Sequence, residues 1–177
     1  MIRTRVGYTG GSKSDPTYYD LGDHSETVQL DFDPGVITYE ELLRVFFAGH
    51  DATQRGIRAQ YKSAVFFHSA EQERLALEIK AREEARLGKT VQTEIVAAST
   101  FYLAEDYHQK YALQGARALK QELERFYPDI ADLVDSTAAT RVNAYLYGLG
   151  DLEQLRRELD SLGLSEESRK RLLDMFD

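Results

Sequence analysis

The stretch at residues 7–28 carries the side chains that are best suited to chemistry, and it runs from the end of one strand through a polar loop into the next strand. They are three phenols, an imidazole and a carboxyl, at Tyr8, Tyr18, Tyr19, His24 and Glu26. Tyr18 and Glu26 stand on either side of a Gly22-Asp23 turn. A carboxyl beside tyrosine hydroxyls in a partly apolar pocket favours its protonated form, because desolvation penalises the charge, and it could then donate a proton to a polar substrate atom. The alternative is a solvated carboxylate at a strand edge, as most carboxylates are.

The remaining titratable residues show no spacing typical of catalysis or metal binding. The histidines are His24, His50, His68 and His108. They fall at the ends of different segments without a spacing such as HxxxH, so capping or surface roles are more typical of them than ligation. The sequence has no cysteine, which excludes disulfides, thiolate metal sites and a thiol nucleophile within it. It also lacks a phosphate loop, a dinucleotide fingerprint and a Ser/His/Asp signature.

Composition indicates an ordinary water-soluble domain. The 177 residues suffice for one domain and a small appendage, with 42% hydrophobic and 29% charged residues. A net charge of −8 makes nucleic acid an unsuitable partner, because an acidic surface gains nothing from counterion release. No apolar run reaches the roughly 20 residues that a membrane helix needs, so no membrane association is expected. The first residues, MIRTRVGY, do not resemble a signal peptide, so we expect a cytoplasmic protein.

Four segments have the composition or alternation of β-strands. They are residues 2–8, 26–33, 61–68 and 91–97. In the second, Val28, Leu30 and Phe32 alternate with polar residues, which predicts a half-buried strand with an apolar face. The segment FYLAEDYHQKYAL, at 101–113, is interpreted as a loop that leads into a helical segment.

Two helices are predicted together with their end points. Thr38 and Glu41 form a capping box, which indicates that a helix begins after Thr38. Ser69 is the expected N-cap of a second helix over residues 70–87, and Gly88 is its expected C-terminal stop. The second helix is mostly charged with a narrow apolar side, which is typical of a helix on the surface of a sheet.

Strand patterns stop near residue 114. Residues 115–177 read as successive amphipathic helices separated by short breakers. We therefore expect two domains, an α+β domain over 1–114 and a helical extension over 115–177. The order of strands and helices predicts an α+β two-layer sandwich. It fits a ferredoxin-like plait if the first strand-helix unit of that plait is missing.

A set of short motifs then carries a family resemblance. In order they are GYTGG (7–11), DPTY (15–18), GDHSE (22–26), FDP (32–34), ITYEELLRVFF (37–47), HDAT (50–53), QYKS (60–63), TEI (93–95) and AEDYHQKY (104–111). Together they resemble the A-type peptide methionine sulfoxide reductases from residue 2 to about residue 113. Several motifs in the right order and spacing make this signal more specific than any single motif. The helices beyond 115 lie outside the pattern.

The resemblance implies a ferredoxin-like fold and reduction of methionine-S-sulfoxide, free or in proteins. This oxidoreductase chemistry repairs proteins after oxidative stress. In the family a cysteine thiolate attacks the sulfoxide sulfur, while a glutamate and tyrosines bind and protonate the oxygen. The resulting sulfenic acid is restored by a resolving thiol and thioredoxin, or by a dithiol, with no further cofactor. By motif, Glu26 corresponds to the acid, and Tyr18 and Tyr61 to the oxygen-binding hydroxyls.

The sequence departs from the family pattern at three places. The family nucleophile lies in a GCFW motif, on a strand and helix before the strand that ends in GYTGG, and this sequence contains no such motif. The resolving cysteines are also missing. Finally, the family has an aspartate in the loop before QYKS, where this sequence has RGIRA (55–59).

Two explanations account for the missing cysteine. Either the natural product begins upstream and carries the nucleophile there, or the chain is a truncated paralogue that has lost catalysis. We favour the first, because the other site residues are intact and the loss of a core strand and helix would expose a large apolar surface. In either case the sequence predicts no reductase activity for these 177 residues. The alternative functions are non-catalytic binding of methionine sulfoxide and protein–protein interaction through the helices beyond residue 115.

Overall fold

The computed structural model describes residues 1–56 and 58–176. The strands of the described chain are β1 Arg3–Thr9, β2 Ser25–Asp31, β3 Ala64–Phe67, β4 Glu94–Ala97 and β5 Tyr102–Leu103. The α-helices are α1 Tyr39–Ala48, α2 Ala70–Leu87, α3 Tyr111–Gly115, α4 Arg117–Glu124, α5 Ile130–Asp135, α6 Thr137–Leu146, α7 Leu152–Glu158 and α8 Glu166–Leu173. Short 3₁₀ turns occupy Ala59–Tyr61, Asp106–His108 and Leu159–Leu162. The mixture of strands and helices confirms the predicted α+β class.

The strands form two sheets. One has the order β2-β1-β5, and the other is the parallel pair β3-β4. Strand β5 runs antiparallel to β1, with Gly7 opposite Leu103 and Tyr8 opposite Tyr102. A Cβ at Gly7 would lie 2.3 Å from the carbonyl oxygen of Tyr102, so only glycine permits this close approach. The sequence analysis missed β5, because two residues are too few to show a period of two.

The chain divides into two compact units. Unit 1 contains Met1–Val6, Val28–Phe32 and residues 105–176, and unit 2 contains Gly7–Thr27 and Asp33–Ala104. The helices beyond residue 115 therefore share a unit with the first residues of the chain and with part of β2. The division at residue 115 remains a sequence-based prediction.

The core of unit 2 lies between α1 and α2. Its buried apolar side chains are Leu43, Phe47, Ala52, Ala76, Ile79 and Val91. The Thr38 and Glu41 capping box is present, with both reciprocal hydrogen bonds. Ser69 accepts from the backbone of Gln72 at the start of α2, and Gly88 ends it in the left-handed conformation. These helix limits, predicted from local sequence, are confirmed because capping depends only on neighbouring residues.

The core of unit 1 consists of apolar side chains from α3 to α8. The fully buried members include Leu113, Leu119, Leu123, Leu133, Val142, Tyr145, Leu155 and Leu172. Each buried large apolar side chain contributes about 1.5–3 kcal/mol relative to exposure. The predicted succession of amphipathic helices is confirmed in this unit. Ser136 caps α6 through its side chain. Gly163 ends the 3₁₀ turn Leu159–Leu162 with a φ of 69°.

The face of β2 that is buried differs from the prediction. Val28 and Leu30 are 54% and 36% exposed, so the expected apolar face is open to solvent. The opposite, polar face takes part in an ionic network instead. Gln29 accepts a hydrogen bond from Arg5, and Asp31 forms an ion pair with Arg3. Alternation alone gave the period of this strand correctly but not which face packs.

Asp135, at the end of α5, completes this network. Its carboxylate accepts hydrogen bonds from Arg3 at 2.8 Å and from Arg5 at 2.6 Å. The hydrogen bond from Arg5 contributes most to holding the pKa of Asp135 below its ordinary value. The first strand and the helices are therefore joined by charge-assisted hydrogen bonds in addition to apolar packing.

Two consecutive buried side chains hold the backbone of β1. The side-chain amide of Gln109 donates to the Val6 carbonyl at 2.8 Å and accepts from the Val6 N–H at 3.1 Å, as a neighbouring strand would. The Lys110 ammonium donates to the carbonyl and the hydroxyl of Thr4 at 2.6 and 2.9 Å and to the hydroxyl of Thr140 at 2.9 Å. Lys110 is 6% exposed, and its three ammonium donors match these three acceptors.

Burial lowers the pKa of Lys110 from 10.5 to about 8. Asp135 opposes this shift and Arg5 adds to it. Between pH 8 and 10.5 the unfolded chain keeps a proton that folded Lys110 has released, so stability rises with pH across this window. At 1.36 kcal/mol per pKa unit, the rise due to Lys110 is about 3 kcal/mol.

We predict that Lys110→Met abolishes this alkaline rise in stability. The free energy of unfolding from urea titrations at pH 7 to 10.5 should increase by about 3 kcal/mol more in the wild type than in the variant. Lys89→Met, at an exposed position of unit 2, serves as the control and should follow the wild type. A constant difference between wild type and Lys110→Met at every pH would contradict the assignment.

Candidate functional site

Two adjacent side chains hold the loop between β1 and β2. His24 is 1% exposed, and its Nδ1 accepts from the Gly11 N–H at 3.2 Å. Its Nε2 therefore carries the proton and donates to the carbonyl of Lys13 at 2.8 Å. Asp23 accepts from the backbone and the hydroxyl of Ser12 at 2.8 and 3.1 Å. The backbone hydrogen bond contributes most to holding the pKa of Asp23 below its ordinary value.

The glycines of GYTGG permit this arrangement. Gly10 has a φ of 79°, in the region that favours glycine. A Cβ on Gly11 would lie 2.6 Å from the backbone nitrogen of His24. The motif thus lets the loop approach the buried imidazole closely. His24, one of the residues singled out from the sequence, positions backbone and does not face solvent.

Glu26 is the second residue of β2, and its side chain is exposed. Its Oε1 accepts a hydrogen bond of 3.3 Å from the side-chain amide of Gln60. This bond joins the GDHSE and QYKS motifs, which lie 34 residues apart in sequence. The structure therefore brings the segment that carries Tyr61 next to Glu26.

Tyr61 ends the 3₁₀ turn Ala59–Tyr61 and is 55% exposed. Its backbone N–H donates to the Arg58 carbonyl at 3.0 Å. Gly56 packs against the same turn so closely that a Cβ there would lie 2.4 Å from the carbonyl oxygen of Tyr61. The phenol of Tyr61 thus stands on a tightly held turn with its ring open to solvent.

Tyr18 lies in the loop before β2 and is 38% exposed. Its ring meets that of Tyr19 edge-on, with centroids 5.4 Å apart. The backbones of Thr17 and Asp20 exchange hydrogen bonds of 3.3 and 3.0 Å around this pair, and Lys13 forms a 3.0 Å ion pair with Asp20. Tyr18 thus lies in a loop closed by backbone bonds and an ion pair, whereas Glu26 is joined to the residue before Tyr61 by the bond from Gln60.

The structure shows different roles for the other residues considered from the sequence. Tyr8 is 2% exposed and belongs to the core. Tyr19 is 89% exposed. Within residues 1–56 and 58–176, no three His, Cys, Asp or Glu side chains cluster as a metal site would require. Of the segment RGIRA, Arg55 donates to the side chain of Gln92 at 3.1 Å, and Ile57 lies outside the described residues.

Sequence reasoning missed the role of Gln60. An amide side chain has no pattern of its own, so only the folded chain shows that it joins two motifs. It also missed a row of hydrogen bonds from His50 through Ser63 to Thr93. The only signal for that row was the presence of these residues in HDAT, QYKS and TEI.

Comparisons with known proteins define the class. The family model "Peptide methionine sulfoxide reductase" matches residues 1–135. The chain belongs to this oxidoreductase family. The match extends beyond residue 113, where the motifs recognised in the sequence end, so the first helices of the C-terminal part are included in the family pattern.

Individual relatives agree with this family. A peptide methionine sulfoxide reductase of Drosophila melanogaster is 41% identical over 172 residues, which cover 96% of this chain and 69% of that protein. The peptide methionine sulfoxide reductase A5 of Arabidopsis thaliana is 39% identical over 151 residues, which cover 82% of this chain and 59% of that protein. The aligned part of this chain thus spans 59% to 69% of the length of these relatives. The Drosophila alignment includes most of the C-terminal helices.

Solved structures show the same fold. Reduced Mxr1 from Saccharomyces cerevisiae superposes with a TM-score of 0.60 at 30% identity, covering 64% of this chain and 71% of that one. Methionine sulfoxide reductase A of Corynebacterium diphtheriae gives a TM-score of 0.56 at 32% identity, covering 64% and 63%. The fold class expected from the resemblance is thereby confirmed. None of the described helices is both long and apolar enough to cross a membrane.

We predict that His24→Ala loosens the loop between β1 and β2. The change leaves the Gly11 N–H without its acceptor and the Lys13 carbonyl without its donor. The free energy of unfolding, measured in urea, should therefore fall by about 1–3 kcal/mol. Limited proteolysis should cleave the loop faster. His68→Ala, at an exposed histidine of the same unit, should change stability by less than about 0.5 kcal/mol. Equal effects of the two substitutions would contradict the role assigned to His24.

Proposed function

We propose that this chain recognises methionine-S-sulfoxide, free or in proteins, through Glu26, Tyr18 and Tyr61. The observation that carries the proposal is the hydrogen bond between Gln60 and Glu26, which places the Tyr61 segment beside the carboxyl. All three residues stand in DPTY, GDHSE and QYKS, three of the motifs that carry the sequence resemblance to the family. Tyr18 and Tyr61 are 38% and 55% exposed, so part of each side chain can meet a substrate.

The chemistry of these groups suits a sulfoxide. Its oxygen is a strong hydrogen-bond acceptor, and phenols and a protonated carboxyl are donors. In the reduction, a thiolate attacks the sulfur and Glu26 supplies a proton to the oxygen. The oxygen passes to the thiol sulfur, which becomes a sulfenic acid, and the sulfoxide becomes a thioether. The two-electron reduction of the substrate thus matches the two-electron oxidation of the thiol.

This chemistry needs a thiolate that the 177 residues do not contain. We propose that these residues bind the sulfoxide, and that reduction requires a thiolate supplied from outside them. Thioredoxin or a small dithiol would then act on the resulting sulfenic acid. In this proposal the biological role is the repair of oxidised methionine, and the 177 residues alone are a binding protein.

We predict that the purified chain does not reduce a methionine-S-sulfoxide peptide in the presence of dithiothreitol. The measurement is the mass-spectrometric yield of reduced peptide, compared with dithiothreitol alone. No increase is expected, because no group in the sequence can accept the oxygen as a thiolate does. Turnover above that background would overturn the requirement for a cysteine thiolate.

We predict that the same peptide binds the chain and that Glu26 contributes to binding. In calorimetric titrations at constant pH, Glu26→Ala should weaken binding roughly tenfold, because one hydrogen bond to the sulfoxide is lost. Glu26→Gln should stay within about threefold of the wild type, because its amide N–H can still donate. Tyr61→Phe and Tyr18→Phe should each weaken binding by about threefold or more.

Two controls match these variants. Glu71→Ala removes an exposed carboxylate of α2, and Tyr19→Phe removes the hydroxyl next to Tyr18. Both should bind like the wild type. A wild-type chain with no affinity for the sulfoxide peptide, or equal losses in Glu26→Ala and Glu71→Ala, would contradict the proposed site.

A further inference from the structure

A row of hydrogen bonds begins at His50, two residues after the end of α1. The Nδ1 of His50 lies 2.9 Å from the carbonyl oxygen of Phe46, and its Nε2 lies 2.9 Å from the hydroxyl of Ser63. The Ser63 oxygen lies 2.8 Å from the hydroxyl of Thr93. Ser63 and Thr93 directly precede the paired strands β3 and β4. The row therefore links the end of α1 to the start of the parallel sheet.

The direction of each hydrogen bond follows from the chemistry of the groups. The Phe46 carbonyl can only accept, so Nδ1 of His50 carries the proton. The Nε2 of a neutral imidazole then only accepts, so the Ser63 hydroxyl donates to it. Because that hydroxyl has one proton, its oxygen must accept from Thr93. The imidazole thus has a single tautomer that satisfies all three bonds.

The far end of the row is firmly held. Thr93 is fully buried, and its carbonyl accepts from the Lys80 ammonium of α2 at 2.7 Å. The Glu94 N–H donates to the Ser63 carbonyl at 2.9 Å. Ser63 is therefore fixed through its backbone by β4 and through its side chain by both His50 and Thr93. Tyr61 lies only two residues before Ser63 in the sequence.

We propose that His50 is a positioning residue for sulfoxide recognition. By holding Ser63, it fixes the preceding turn, so that Gln60 meets Glu26 and the phenol of Tyr61 faces the substrate. His50 does not touch the sulfoxide in this account. The inference rests on the proposed function, because it specifies how one part of that same site is held in place.

Packing alone does not account for His50. Its side chain is exposed, and its ring meets the Phe46 ring in a T-shaped arrangement, with centroids 4.7 Å apart. An exposed side chain leaves little cavity when it is removed. The effect of substitution should therefore come from the two hydrogen bonds, which can be separated by choosing the replacement.

The test uses a matched pair of variants. In His50→Gln the side-chain oxygen can take the place of Nε2 and accept from Ser63, whereas in His50→Asn the shorter amide reaches Phe46 but not Ser63. Calorimetric titration with a methionine-S-sulfoxide peptide should show binding within about threefold of wild type for His50→Gln. It should show a loss of roughly tenfold for His50→Asn and at least as large a loss for Ser63→Ala, because both lose the hydrogen bond between His50 and Ser63 and Ser63→Ala also loses the bond with Thr93. His68→Ala is the control and should bind like the wild type.

A second readout does not require any ligand. Amide hydrogen exchange should accelerate about tenfold at Tyr61 and Glu94 in His50→Asn, and not in His50→Gln or His68→Ala, because these amides report local opening next to Ser63. Amides of α6 in unit 1 should be unaffected in every variant. Exchange that is unchanged in His50→Asn would overturn the positioning role.

The outcomes separate this proposal from the proposed function. If the wild type binds the peptide and His50→Asn binds equally well, the role of His50 is wrong and the function stands. If the wild type does not bind the peptide, the proposed function fails, and the recognition role of His50 fails with it. Support requires tight binding by wild type and His50→Gln together with weakened binding and faster exchange in His50→Asn.

Discussion

In unit 1, two side chains from the middle of the sequence form hydrogen bonds with the backbone of β1, and the rest of the unit depends on these bonds. Gln109 and Lys110 bond to Val6 and Thr4, which lie more than 100 residues earlier. Such contacts close a very long loop, which carries an entropic cost. Buried hydrogen bonds from the Gln109 amide and the Lys110 ammonium offset this cost. Gln109 and Lys110 of the AEDYHQKY motif thus have a structural role that does not depend on catalysis.

The candidate site in unit 2 uses polar side chains in the same way. His24 bridges two backbone groups of the loop before β2, and His50 bridges α1 to Ser63, two residues after Tyr61. In both imidazoles one ring N–H donates a hydrogen bond to a backbone carbonyl, and the other ring nitrogen accepts. The groups assigned to the substrate, Glu26 and Tyr61, are exposed and lie next to this framework. The residues proposed for recognition are therefore distinct from the histidines that hold the backbone.

Local signals predicted the helices well. Thr38 with Glu41, and Ser69 with Gly88, marked the limits of α1 and α2 because caps are short-range interactions. The packing of the polar face of β2 could not be predicted. It depends on the hydrogen bond from Arg5 to Gln29, and Arg5 is itself held by Asp135, which lies far away in the sequence. Strand β5 was missed because it is too short to show a pattern.

The site was only partly predictable for a related reason. Motifs indicated Tyr18, Glu26 and Tyr61, because the residue types and their order match the family. The amide of Gln60 and the hydroxyl of Ser63 gave no separate signal, although they connect the motifs in space. Motif matching identifies candidate residues one motif at a time, whereas the hydrogen bonds that connect the motifs appear only in three dimensions.

The central claim is that Glu26, Tyr18 and Tyr61 share one ligand atom, the oxygen of a methionine sulfoxide. A crystal structure of the chain with a bound methionine-S-sulfoxide peptide tests this most directly. The account predicts a sulfoxide oxygen within about 3 Å of the Glu26 carboxyl and of both tyrosine hydroxyls, with the sulfur left open to an external thiolate. A peptide bound elsewhere, or a sulfoxide oxygen that contacts none of the three, would contradict it.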